Sequence, residues 1–262
     1  MSDSALTETP ISPATVGGLS RLACANVILA SLSETERRAL LANATLDHFQ
    51  QGERIYRQGD PDLDVDVLFP VRGLLCGTDA GADGVPLVTA FRGREGAYGV
   101  LNAASHSQPG GCMQEVVAEL DCDAVRVPLA DFAERLARSG ALARIALEYA
   151  ALLLGLSEHH AACARHHRLE GRTAYWLLLL RAHAGSDQIR VTHERVAEVL
   201  GVHRPSVSSI LSDFEAHGLL QRGRGCVTIA DVAGLYANAC ECRSDVISVE
   251  EIHRGGRFIL GG

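Results

Sequence analysis

Residues 159–167 read HHAACARHH, four imidazoles and one thiol within nine positions. On a helix, His159, Cys163 and His167 fall at i, i+4 and i+8 and share one face. Imidazole nitrogen and thiolate sulfur are the donors that zinc and copper favour, and a thiol in such company can also serve as a redox centre. If two chains met along this face, four or more nitrogen and sulfur ligands would converge. The same residues fit a plainer role as polar members of a packed helical stripe near its C-terminal end, where cations suit the helix dipole. The sequence leaves both open. A second pair, Cys240-x-Cys242, is a poor chelate by itself and would be strained as a disulfide, but it could join a partner cysteine elsewhere. The eight cysteines form no C-x-x-C pair and read as thiols rather than as a disulfide framework.

A different chemistry is written in residues 201–220, GVHRPSVSSILSDFEAHGLL. His203 and Ser206 stand at the start of a helical pattern, where N–H groups and hydroxyls meet phosphate, and Ser208 and Ser209 lie one turn on. Arg222 and Arg224 follow in a glycine-rich turn. The chain as a whole is acidic, with 24 basic against 32 acidic residues. Between residues 165 and 230, however, nine Arg face six acids, a balance of +3, so the acidity lies elsewhere. Charges more than about 8 Å away are largely screened at physiological salt, and the local balance matters most. No G-x-S-x-G or H-E-x-x-H arrangement is present, so no enzymatic chemistry is expected.

These residues must be positioned by two unlike halves, an α+β organisation. Residues 22–46 read as a helix, with Ser33 and Glu36 placed as a capping box. From residue 47 to 127, short apolar runs alternate with Gly, Asp and Pro roughly every ten residues, which predicts a β-jelly roll or barrel. Then the period changes. Leu142, Ile145, Tyr149, Leu152, Leu156, His159, Cys163 and His166 follow a 3,4 spacing, a heptad stripe that predicts a helix packed on a partner helix, read as a dimer seam. A further helix covers 170–183. Thr192 is placed as N-cap of the next, Gly201 as its stop, Arg204–His217 as a second helix, and residues 221–229 as a β-hairpin wing. That succession is a winged helix-turn-helix. The division is therefore an N-terminal arm (1–20), a sensor domain (21–140), a long dimerisation helix (141–167), the winged domain (168–240) and a tail (241–262). The N-terminus has no secretion pattern, and the longest apolar run, 145–156, is interrupted by Glu148. The expected compartment is the cytoplasm, with no membrane partner.

With both halves in view, the chain resembles the cyclic AMP receptor protein/FNR (CRP/FNR) family of bacterial transcription regulators, across about residues 25–237. The resemblance rests on GERIYRQGDPDLDVDVLFPVRGLL in the barrel, the long helix, and VTHERVAEVLGVHRPSVSSILSDFEAHGLL. It implies a homodimer on double-stranded DNA, with two recognition helices about 34 Å apart on a near-palindromic operator. It implies RNA polymerase as a partner if the protein is an activator. Arg204 matches the position that reads guanine, and Thr192 the first-helix threonine that contacts phosphate. Pro205 and Ser209 stand where the receptor protein has two further base readers, so a different operator is implied.

In cyclic-nucleotide-binding members, a Gly-Glu pair and a Pro-Arg pair hold the ribose and phosphate. Here Gly99 is followed by Val100 and Pro109 by Gly110, while Arg92 and Arg94 lie on the wrong side of the motif. A buried cyclic phosphate without a cation is costly. The expectation is a barrel that keeps the sensor fold but has lost the cyclic-nucleotide pocket, with a signal that is a metal, haem, a thiol oxidation or a small apolar molecule, or with no ligand at all. No cofactor is assigned. An N-terminal iron–sulfur set is absent, since only Cys24 lies there. His48 and His106 are the scattered imidazoles available to a haem.

Overall fold

The computed structural model describes residues 13–59, 65–80, 86–104, 114–244 and 249. Pro109, Gly110 and His106 lie outside them, as does most of the 241–262 segment.

The single helix expected over 22–46 is instead three short ones. Helix α1 (Pro13–Ala23) starts within the segment read as an arm, followed by α2 (Val27–Ser31) and α3 (Glu34–Leu40). Polar caps divide them. Asn26 Oδ1 accepts from Ile28 N and Leu29 N at 3.0 and 3.3 Å and starts α2. Ser33 and Glu36 exchange capping-box bonds and start α3, as their spacing predicts. The Asn26 amide is fully buried, and its Nδ2 donates to Pro70 O (3.0 Å) and Gly96 O (2.8 Å). One side chain thus ties the helical entrance to the strands.

The barrel is two antiparallel sheets of strands β1 (Thr45–Phe49), β2 (Arg54–Tyr56), β3 (Val67–Arg72), β4 (Leu75–Ala80), β5 (Pro86–Arg92), β6 (Glu115–Ala118) and β7 (Cys122–Val127), in the orders β1-β7-β3 and β2-β6-β4-β5. Helix α4 (Val100–Ala104) lies between β5 and β6. Strand β3 is buried on both faces. Leu68 joins the barrel interior with Leu75, Val116 and Cys122, while Val67 and Phe69 join an outer core with α1–α3. Gly99 has φ +85°, and a Cβ there would stand 2.7 Å from Asp66 O. Close packing on β3 therefore accounts for this glycine without any ligand.

Helix α5 (Leu129–Arg138) leads into α6 (Gly140–His166), 27 residues long. Among the described residues α6 is the one helix long and apolar enough to cross a bilayer by length and composition. Its inner face is anchored on the barrel: Tyr149 Oη accepts from Ala97 N and donates to Ala97 O, both at 2.8 Å.

The C-terminal region comprises α7 (Leu169–Ala184), β8 (Gln188–Arg190), α8 (His193–Leu200), α9 (Arg204–Ala216), β9 (Leu220–Gly223), β10 (Cys226–Ile229), α10 (Val232–Asn238) and a 3-10 turn (Glu241–Arg243). Helix α7 is apolar nearly all round and is correspondingly the buried centre, with Trp176 1% exposed. Around it pack Val196, Val207, Leu211 and Phe214, and also Leu74 and Leu120 from the barrel.

Candidate nucleic-acid interface

Helices α8 and α9 form the turn that the glycine and threonine predict. Thr192 Oγ1 accepts from Arg195 N at 3.1 Å, and Gly201 closes α8 in the left-handed region at φ +65°. Helix α9 buries Val207, Ile210, Leu211 and Phe214, and turns His203, Arg204, Pro205, Ser206 and Ser209 to the exterior. His203 is its N-cap, and no side chain caps the first turn. Pro205 carries no N–H and Ser206 N donates to His203 O at 3.0 Å, so this terminus offers an anion chiefly the positive end of the helix dipole. Ser208 is half-buried, with its hydroxyl 2.9 Å from His193 Nδ1.

The charged residues differ in readiness. Arg204 is open, its side chain 62% exposed and its Nε 3.7 Å from a Glu194 carboxylate that is equally open. Arg222 is occupied: its backbone N and Nε donate to Glu215 at 2.9 and 2.8 Å, which holds the Glu215 carboxyl below the usual range. Arg224 is exposed at the tip of the β9–β10 wing, beside Gly225. Desolvation first, then the Arg222 and Arg204 guanidiniums, hold His193 below the usual imidazole value. The surface is thus locally cationic within an acidic chain.

The sequence from 171 to 237 matches the model of the Crp-like helix-turn-helix domain. This segment is a Crp-like DNA-binding domain. The fold of the chain is that of CRP/FNR transcription regulators. FixK2 from Bradyrhizobium japonicum superposes with a TM-score of 0.61 at 20% identity, over 75% of this chain and 98% of that one. Two regulators from Thermus thermophilus do likewise. One, of the CRP family, has a TM-score of 0.62 at 19% identity, covering 74% and 98%. The other, of the CRP/FNR family, has a TM-score of 0.60 at 18% identity, covering 74% and 98%. No curated protein matches in sequence.

Away from the Crp-like domain, the structure redistributes several residues. Leu142, Ile145 and Tyr149 are buried in the chain's own outer core, with Leu152 packed against it, and Cys163 is buried in the C-terminal core. The heptad stripe read as a dimer seam therefore faces inward along much of its length; Leu156 is half-buried and His159 exposed. A spacing rule finds an apolar face but not the element that covers it. The outward apolar face of α6 is offset from it: Leu147 is 72% and Leu154 63% exposed, with Ala151 between them. Of the metal candidates, His159 lies apart, beside His160. Cys163 and His167 converge with Cys240 and Cys242, the four ligand atoms all within 4.8 Å of one another. Burial pushes the Cys240 and Cys242 thiols up.

Two features had no sequence signal. A half-open cavity of about 350 Å³ lies between the barrel and α6, lined by Arg92, Thr89, Tyr98, Gln114 and Tyr149 among others. Arg92, placed outside the pocket by motif alignment, enters it because β5 itself forms one wall. Its guanidinium lies over the Tyr98 ring, 5.6 Å from the centroid. Arg94 turns away and donates to Ala25 O. The second feature joins the halves. Arg195 of α8 reaches back to barrel Glu119, Nε to Oε2 at 3.0 Å, and its Nη2 donates to Cys76 Sγ at 3.3 Å. Glu119 is 3% exposed.

Proposed function

We propose that this chain is a sequence-specific transcription regulator that binds a near-palindromic operator as a cytoplasmic homodimer, with no membrane contact, and answers a signal other than cyclic nucleotide. The observation that carries the reading is the open first turn of α9, uncapped and led by an exposed Arg204. In this reading Arg204 donates in bidentate fashion to guanine O6 and N7. His203, Ser206, Ser209 and the Thr192 hydroxyl meet phosphates, Ser208 supports them through His193, and Arg224 grips the backbone from the wing. Arg222 joins only by leaving Glu215. The dimer forms along the outward face of α6 through Leu147, Ala151 and Leu154. The sensor domain (21–140), helix (141–167) and winged domain (168–240) act in sequence, and RNA polymerase is the further partner if the protein activates.

The effector reading is supported by Val100 standing where cyclic-nucleotide binders carry an acid for the ribose. The barrel cavity takes a different small ligand. Calorimetry with cyclic AMP and cyclic GMP is expected to give no heat; micromolar binding of either overturns this part.

The DNA reading is tested by selecting duplexes from a random pool, then titrating the selected site with Arg204→Ala. Losing the guanine contact is worth about 1–3 kcal/mol, or roughly 5- to 150-fold in affinity. Weak, salt-sensitive binding to any duplex should persist. Equal affinity of both proteins for the selected site refutes the assignment of Arg204.

A further inference from the structure

We propose that Cys163, His167, Cys240 and Cys242 form a tetrahedral site for a single soft divalent cation of the zinc type. The donors come from two segments more than seventy residues apart in sequence. Cys163 and His167 sit one turn apart at the close of α6, with His167 N donating to Cys163 O at 3.1 Å. Cys240 and Cys242 flank Glu241 at the start of the 3-10 turn. That turn is pinned: Cys240 N donates to Gly171 O at 3.1 Å, and Arg243 N donates back to Cys240 O at 3.0 Å. Position 171 is also tightly packed, since a Cβ there would stand 3.2 Å from Cys240 N.

The spacing of the donors fits one ion. Cys163 Sγ is 3.9 Å from Cys240 Sγ, and Cys242 Sγ is 3.5 Å from His167 Nδ1. With Zn–S near 2.3 Å and Zn–N near 2.05 Å, a regular tetrahedron has edges of about 3.8 Å between sulfurs and about 3.5 Å from sulfur to nitrogen. All four atoms lie within 4.8 Å of one another, too close together for ligands that must span several irons. Three sulfurs and one imidazole nitrogen are a donor set of structural zinc sites.

Three thiolates around a dication leave one net negative charge. Arg168 and Arg243, balanced by Glu170 and Glu241, line the cleft that opens on His167 and Cys240, and this cleft is the path by which an ion enters. Cys163 and Cys242 are buried. A bound ion would fasten the end of α6 to the chain segment that follows α10. This assignment stands on its own donors and does not depend on the DNA reading.

The test uses the full chain, purified under reducing conditions from cells grown with zinc, and elemental analysis. About one zinc per chain is expected. Replacement by Co(II) should give thiolate-to-cobalt charge-transfer absorption and tetrahedral ligand-field bands. Cys240→Ser and His167→Ala should each weaken the ion by at least about 100-fold, since even outer-shell losses cost 10- to 100-fold. Cys226→Ser, in the wing, should leave it intact. Trp176 emission reports whether each variant is folded. If a variant fails to fold, the Co(II) spectrum of the unaltered chain decides alone. Less than about a fifth of an ion per chain with all thiols reduced, a Co(II) spectrum without thiolate bands, or a Cys163–Cys240 disulfide in protein isolated without oxidant would each overturn the site.

Discussion

Arg195→Met puts the joint between barrel and Crp-like domain to a quantitative test. Glu119 is 3% exposed and takes its charge-assisted bonds from Arg195, at 3.0 and 3.3 Å from Nε and a further bond from Nη2. Removing the guanidinium leaves a buried carboxylate uncompensated, which costs about 3–5 kcal/mol; because Arg195 itself is 24% exposed, the lower end applies. Glu119→Gln is milder, about 1–2 kcal/mol, because Arg195 keeps Glu198 at 3.0 Å and reaches water. The double variant is expected to be more stable than Arg195→Met alone, since it buries no charge. Urea unfolding followed by the sole tryptophan, Trp176, reads all of this. An Arg195→Met protein within about 1 kcal/mol of the parent, or a double variant less stable than the single one, refutes the reasoning.

Three further outcomes follow from contacts already described. Tyr149→Phe strands the buried N–H and C=O of Ala97 and should cost about 1–3 kcal/mol by thermal unfolding; an unchanged midpoint contradicts the anchor. Asn26→Ala removes a cap and the donors to two carbonyls, for about 2–4 kcal/mol, and should hasten proteolysis within residues 19–40. Leu154→Glu on the outward face of α6 should convert a dimer to monomers in sedimentation and weaken operator binding; an unaltered dimer moves the contact elsewhere.

What the sequence disclosed was local. Ser33 with Glu36, Thr192 and Gly201 act within four residues of themselves, and each behaves as its spacing predicts. The region 22–46 misled because Asn26 interrupts an apolar pattern for a tertiary reason, its bonds to Pro70 and Gly96. The heptad stripe was real, but period alone does not distinguish a neighbouring subunit from the chain's own barrel. Arg195 looks like any solvated charge on an amphipathic helix, and nothing near it in sequence points to Glu119, 76 positions away. His167 and Cys242 are separated by 75 residues, so their meeting depends on how α7 and α10 fold back.

Leu74 and Leu120 lie in the barrel's loops, yet they belong to the same apolar cluster as Trp176, Leu177 and Leu180. Cutting the chain after α6 would strip those two leucines from their neighbours and bare an oily scar on each fragment. The two halves are consequently not beads on a string, and melting of one should drag the other with it as a single cooperative transition. Under the proposed function, a signal taken up in the barrel would meet packed surface rather than a slack linker on its way to α9.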